Sequence, residues 1–224
     1  MPVVPEERRV TLLAEDGVAL DARLSTPPGA ARAVVLAHPH PLYGGSMDDP
    51  VTVAFARALA ERGAATLRFD FRGVGHSEGR FGGGEPEVLD LEAAIAFVAG
   101  ALSDVPIAVS GYSFGSWVAL GAARAGRVAV DRLALVAPAL GLLPYDRLPS
   151  HGGRFERPVA VVVGDRDGFC DAAAARVFAG RLGASVAVLS GEDHFFSRAR
   201  RRVAEMLAPF LLGARDRVDE GDFA

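Results

Sequence analysis

The chain has 224 residues, half of them hydrophobic and 23% charged, with a formal net charge of -4. That length suits one large α/β domain with a substantial core, and the acidic balance leaves no basic footprint for nucleic acid. No apolar run approaches the roughly 20 residues of a membrane span, and Met1-Pro2-Val3-Val4-Pro5-Glu6-Glu7-Arg8-Arg9 lacks the apolar segment of a secretion signal.

In chain order, Val10–Ala14 and Val18–Leu24 flank Glu15-Asp16-Gly17 and read as a β-hairpin. Short apolar runs then alternate with helical patterns. The runs are Ala33–Ala37, Ala64–Phe69, Val105–Ser110, Leu133–Ala137, Val159–Val163 and Ser185–Leu189. The intervening helices are expected at Val51–Glu61, Val88–Ala99, Ser113–Ala125, Ala172–Leu182 and Phe196–Leu212. Continuous apolar strands separated by helices imply a mostly parallel sheet covered on both faces. The stretch between Ala137 and Val159 carries Pro138, Pro144, Pro149 and Pro158, which break any long helix. A single domain is expected over residues 1–212, with a polar, frayed tail from Gly213 to Ala224.

Gly111-Tyr112-Ser113-Phe114-Gly115 lies between an expected strand and an expected helix. Gly-x-Ser-x-Gly in that setting is a nucleophile elbow, a turn tight enough to demand small residues two before and two after the serine. The plain alternative is a glycine-rich connection with a helix-capping serine. A serine nucleophile needs a base, and the base an orienting group. Gly164-Asp165-Arg166-Asp167 ends one expected strand and supplies the acid, while Glu192-Asp193-His194-Phe195-Phe196 ends the next and supplies the base. Asp167 is favoured over Asp165, which reads as a residue that caps or stiffens its loop. Glu192 and Asp193 read as loop charges. Of five histidines (His38, His40, His76, His151 and His194), only His194 lies between the last strand and the final helix. Its alternative reading is a surface residue capping that helix.

An oxyanion hole would take the Phe114 N–H and a second donor from the loop after Ala33–Ala37, which reads His38-Pro39-His40-Pro41-Leu42-Tyr43-Gly44-Gly45-Ser46. Proline has no N–H, so His40 is the candidate donor within the motif. His38 and His40 with Asp48 and Asp49 form an alternative metal set. Asp70-Phe71-Arg72-Gly73-Val74-Gly75-His76-Ser77 contains Gly-x-Gly, but its spacing is wrong for a dinucleotide fingerprint and it reads as structural. The single cysteine, Cys170, excludes an internal disulfide and fits a reducing compartment, so a cytoplasmic location is expected. All 24 basic residues are arginine, which excludes lysine chemistry such as Schiff bases.

The elbow, the acid loop, the late histidine and the Asp70–Ser77 loop together resemble the α/β-hydrolase superfamily over Val10 to Leu212. More narrowly, His38-Pro39-His40-Pro41 with Gly44-Gly45, Phe69-Asp70-Phe71-Arg72-Gly73 and His194-Phe195-Phe196 resemble small capless bacterial hydrolases related to dienelactone hydrolases and serine esterases. Dienelactone hydrolase uses cysteine where this chain has Ser113. The resemblance implies a central sheet of about eight strands with an antiparallel N-terminal hairpin and no cap domain, hence an open cleft. It implies ester hydrolysis of a small-molecule acyl substrate through Ser113, His194 and Asp167, with no cofactor. Leu42, Tyr43, Met47, Tyr145, Phe169 and Phe195 are the candidate lining of an apolar acyl site, and Trp117 reads as core. Thioesters, peptides and amides remain open on the same residues, as does a noncatalytic binding role. Oligomeric state is open too, a homodimer included.

Overall fold

The computed structural model describes residues 6–148 and 156–219. Pro149, His151 and the two chain ends lie outside the described residues.

The N-terminal hairpin joins β1 (Arg8–Leu13) to β2 (Ala19–Ser25), with Leu13 opposite Ala19 and Gly17 at φ 87 in the turn. The parallel strands are β3 (Ala33–Ala37), β4 (Ala65–Phe69), β5 (Ile107–Tyr112), β6 (Arg132–Val136), β7 (Val159–Gly164) and β8 (Ser185–Leu189). They form one eight-stranded sheet in the order β1-β2-β4-β3-β5-β6-β7-β8. Pairing is antiparallel as far as β2–β4 and parallel from β4 onward. The expected architecture is present.

Strands β3 to β7 are buried along their whole length, which requires cover on both faces. Val34 and Leu36 share one core cluster with Phe55 of α1 (Pro50–Ala60) and Leu207 of α5 (Arg200–Leu211). Val35 points into the opposite cluster, with Leu91 of α2 (Glu85–Ala101), Val118 of α3 (Phe114–Ala125) and Ala175 of α4 (Ala172–Leu182). The strand period of two thus divides one apolar run between two cores. Each fully buried Leu, Val or Phe in them stabilises the fold by roughly 1.5–3 kcal/mol.

Local chemistry sets the ends. Asp49 accepts from the Val51 and Thr52 amides ahead of Pro50, and Asp171 caps α4 in the same way. Helix α2 starts earlier than expected because the buried Glu87 carboxylate takes the Gly82 and Gly84 amides (2.7 and 2.6 Å). Helix α5 starts four residues later than expected. Phe196 is fully buried at φ 46, a left-handed conformation that cannot open a helix. The tail is held beyond Gly213: the Arg132 guanidinium donates to the Phe210 and Arg215 carbonyls, and Val218 is buried with its N–H on Ser185 Oγ. Among the described residues of the 137–158 connection, the only helical element is a 3-10 turn at Tyr145–Arg147. Among the described residues no cap covers the carboxyl ends of the strands. Among the described residues no helix is long and apolar enough to cross a membrane.

Candidate active site

The carboxyl ends of β3, β5, β7 and β8 converge, as open α/β sheets arrange their ligand-binding edge. Strand β5 runs straight into the elbow: Gly111 and Tyr112 still pair with Leu135 and Val136 of β6, and Ser113 then turns at φ 54. Such a backbone in a non-glycine residue costs about 1–3 kcal/mol and persists only where its surroundings hold it. Here the Ser113 N–H donates to the Val136 carbonyl (2.8 Å), and Ser116 Oγ ties Gly111 O to the same carbonyl (2.7 and 3.1 Å). A Cβ at Gly111 would collide with the Gly115 backbone, and one at Gly115 with the Ala37 carbonyl. The two glycines therefore let the first turn of α3 pack directly on the end of β3.

Ser113 Oγ does not cap α3, which removes the plain reading of the motif. It lies 3.0 Å from His194 Nε2, and His194 Nδ1 lies 2.8 Å from Asp167 Oδ2. The Asp167 side chain is fully buried, and its other oxygen accepts the Phe169 and Cys170 amides (2.8 and 3.0 Å). His194 is buried and six residues ahead of α5, so it caps nothing. Asp165 instead accepts the exposed Gly191 N–H (2.7 Å). Ser113 as a residue is buried but keeps 7% of its surface exposed.

Two amides beside this chain have no acceptor among the described residues, those of Phe114 and His40. His40 is fixed by its own turn: Nδ1 accepts the Leu42 N–H (3.2 Å) and its carbonyl accepts the Tyr43 and Gly45 amides (both 3.1 Å). Partial burial holds its imidazole below the usual histidine range.

Two positioning contacts carry no sequence signature. His38 is fully buried, with Nδ1 2.6 Å from the Pro39 carbonyl and Nε2 accepting the Phe71 N–H (3.0 Å). That pattern requires a neutral ring with its proton on Nδ1, and burial pushes its pKa down to about 3. The Pro39 carbonyl and the His40 N–H belong to one peptide unit, so His38 pins the amide that carries the free donor. Tyr112, also buried, donates its hydroxyl to the His194 carbonyl (3.1 Å). Burial and the neighbouring Asp49 and Asp167 carboxylates hold that phenol protonated.

The remaining candidates divide. Leu42, Tyr43, Phe169 and Phe195 are exposed apolar side chains, and Trp117 is core. Met47 and Tyr145 are buried rather than exposed: Met47 keeps 2% of its surface, and Tyr145 packs in the core against Phe178, ring centroids 5.0 Å apart. Glu192 is buried rather than a solvated loop charge, whereas Asp193 accepts from Phe195 N, Ser197 N and Ser197 Oγ. The metal set is committed elsewhere, since both His38 ring nitrogens serve the backbone, Asp48 pairs with Arg68 and Asp49 caps α1. In the Asp70–Ser77 loop Asp70 accepts the Met47 N–H and Arg72 bonds Asp90 and Asp16, bracing the loops below the site. Cys170 is buried with its thiol pushed up to about 12, too high for a nucleophile.

The profile of the S33 serine aminopeptidase family matches residues 32–151. The chain belongs to that hydrolase family. The hydrolase is 30% identical over 203 residues to the uncharacterized protein RP471 of Rickettsia prowazekii, spanning 84% of this chain and 81% of that protein. Its fold matches an α/β serine hydrolase homologue from Coxiella burnetii with a TM-score of 0.80 and 30% identity, over 91% of this chain and 97% of that one. It matches XC6422 of Xanthomonas campestris, an α/β serine hydrolase without lid, with a TM-score of 0.80 and 28% identity over 96% of both chains. The superfamily is that of the α/β-hydrolases.

Proposed function

We propose that this hydrolase cleaves carboxylic esters of small to medium acyl groups through an acyl-enzyme on Ser113. The observation that carries the proposal is the buried relay from Ser113 Oγ to His194 Nε2 (3.0 Å) and from His194 Nδ1 to Asp167 (2.8 Å). With Asp167 holding the Nδ1 proton, Nε2 is the lone pair that faces the hydroxyl, which is the protonation state a general base needs. Ser113 Oγ attacks the acyl carbon and its proton passes to Nε2. The C–O bond to the alcohol then breaks as the same proton moves to the leaving oxygen. The His40 and Phe114 N–H groups hold the carbonyl oxygen as it becomes an oxyanion, helped by the positive end of α3. Water deprotonated by His194 releases the carboxylic acid and restores Ser113. No cofactor enters these steps.

Esters are favoured over the N-terminal peptides that the family's description names. An aminopeptidase needs a free, solvent-facing carboxylate for its substrate's ammonium, and three of the carboxylates around His194 are committed: Asp49 serves α1, Asp167 serves His194 and Asp193 serves the Phe195–Ser197 turn. The fourth, Glu192, keeps one oxygen unpartnered but is buried.

The test is labelling of the purified protein with a fluorophosphonate probe, mapped by mass spectrometry, beside Ser113→Ala and His194→Ala. Labelling at Ser113 that both substitutions abolish supports the mechanism. A folded wild-type protein that takes no label, or takes it elsewhere, sinks it and favours a binding role.

A further inference from the structure

We propose that Phe169 and Phe195 form a subsite for the leaving alcohol, and that this subsite selects esters of apolar, ring-bearing alcohols. The inference rests on the ester reading above. In that mechanism His194 Nε2 hands its proton to the leaving oxygen, so that oxygen must come within hydrogen-bond distance of Nε2. The first carbons of the alcohol then lie against whatever flanks the imidazole.

Three aromatic rings flank it. Tyr112 sits behind, buried, at 5.6 Å between centroids. Phe169 stands edge-on at 4.8 Å and 69°, and Phe195 at 5.4 Å and 89°. These two keep 41% and 53% of their surface exposed. A lone exposed phenylalanine is unremarkable, but two on one catalytic imidazole make an apolar patch at the point where a leaving group departs.

Both rings are held out on built backbone. The Phe169 N–H donates to Asp167 Oδ1 and its carbonyl accepts the Gly141 N–H (3.1 Å). The Phe195 N–H donates to Asp193 Oδ1 (3.0 Å) and its carbonyl accepts from Arg200 Nε (3.1 Å). The next residue, Phe196, takes a left-handed φ of 46 and plugs the core, which leaves Phe195 facing solvent. Fixed aromatic edges favour another ring over a flexible chain, because offset and edge-to-face pairing adds to area burial. The acyl group stays bonded to Ser113 after the alcohol has left, so the acyl-enzyme no longer needs this subsite.

Two ester series separate the possibilities. One shares an acetyl group and runs through ethanol, benzyl alcohol and 2-naphthylmethanol, alcohols of similar acidity. The other shares a 4-nitrophenol leaving group and lengthens the acyl chain from acetyl to octanoyl. The proteins are wild type, Phe169→Ala, Phe195→Ala and the double variant, with fluorophosphonate labelling of Ser113 run on each. Wild-type kcat/KM should rise along the alcohol series, and each Ala substitution should remove about 3- to 10-fold of that rise. Breakdown of the common acetyl-enzyme, read from the steady state after the 4-nitrophenyl acetate burst, should hold within about twofold. If the double variant leaves the alcohol series steep and flattens the acyl series instead, the rings line the acyl side and the proposal is wrong. Equal losses across both series also overturn it, since the rings would then act on His194 alone. Failure of the ester mechanism itself reads differently, as an unlabelled Ser113 in the wild type.

Discussion

Replacing Asp167 with asparagine is the sharpest perturbation of the relay, because the surrounding amides dictate how the new side chain must sit. Oδ1 of Asp167 accepts two N–H groups, those of Phe169 and Cys170, while Oδ2 faces His194 Nδ1. An asparagine keeps its oxygen toward the two amides, which points its NH2 at His194. The imidazole must then accept at Nδ1 and carry its proton on Nε2, where it cannot take one from Ser113. Flipping the amide restores the tautomer but sets its NH2 against two N–H donors, one buried and one part-buried, each costing about 1–3 kcal/mol. The productive flip therefore lies about 2–6 kcal/mol uphill, a factor of roughly 30 to 10⁴ in rate. Losses near the upper end, about 10⁴-fold in kcat, follow this substitution where a triad aspartate is known to set the tautomer. The assay is kcat on 4-nitrophenyl acetate with the fluorophosphonate inactivation rate alongside, and thermal unfolding checks that the fold survives. Asp165→Asn is the control: its oxygen keeps the exposed Gly191 N–H, so activity should stay within about threefold. If Asp167→Asn retains more than about a tenth of wild-type kcat, or Asp165→Asn shows the larger loss, Asp167 is not the orienting acid.

Tyr112→Phe removes the hydroxyl that holds the His194 carbonyl; it should lower kcat by about 5- to 30-fold with KM unchanged, since an unpaired buried acceptor costs about 1–2 kcal/mol. A fall in melting temperature with kcat intact would reduce that contact to simple stabilisation. At His38, asparagine places its amide where Nδ1 donates to Pro39, whereas glutamine reaches the Nε2 position that accepts from Phe71. Asparagine should therefore keep kcat roughly tenfold closer to wild type, because an oxyanion donor is worth about 10²-fold or more and partial misplacement loses part of it; the reverse order would detach His38 from the His40 amide. His38 also makes the fold acid-sensitive. The unfolded chain takes up its proton below about 6.5, while the folded ring stays neutral down to about 3. The unfolded state thus binds more protons in that window, and stability falls by about 1.4 kcal/mol per pH unit as pH drops through it. Urea melts between pH 6.5 and 4.5 should show a shallower decline for His38→Gln than for wild type, and parallel declines would contradict the neutral buried ring.

What the sequence made legible follows from how local the cause is. Strands β3 and β8 and helix α4 fall on their expected bounds because each is closed by residues at its own ends. The turn at Ser113 and the loops that carry Asp167 and His194 were readable for the same reason: each is a short turn signal at the end of an apolar strand. Strand β5 starts two residues late because Pro106 has no N–H for the ladder, and it runs on to Tyr112 because Gly111 still pairs with β6. The roles of His38 and Tyr112 were not readable. Their bonds join segments 33 and 82 residues apart, and nothing in either segment alone marks the other. Burial was no more readable at Met47 and Tyr145, where residue type suggested an open wall and both side chains are buried.

Phe195 and Phe196 state the limit most sharply, being the same residue type side by side with opposite fates. Composition and periodicity cannot rank them. The choice is made by Asp193, whose carboxylate gathers the Phe195 and Ser197 amides, and by the left-handed turn at Phe196 that this capture sets up. The turn exists because His194 must be presented to Ser113 from the end of β8 while α5 returns to pack on α1. One aromatic closes the core beneath the histidine, and the other is left at its open edge. The site's specificity on the proposed reading is thus a by-product of how the base is delivered, and so it follows from the geometry of the loop more than from any motif within it.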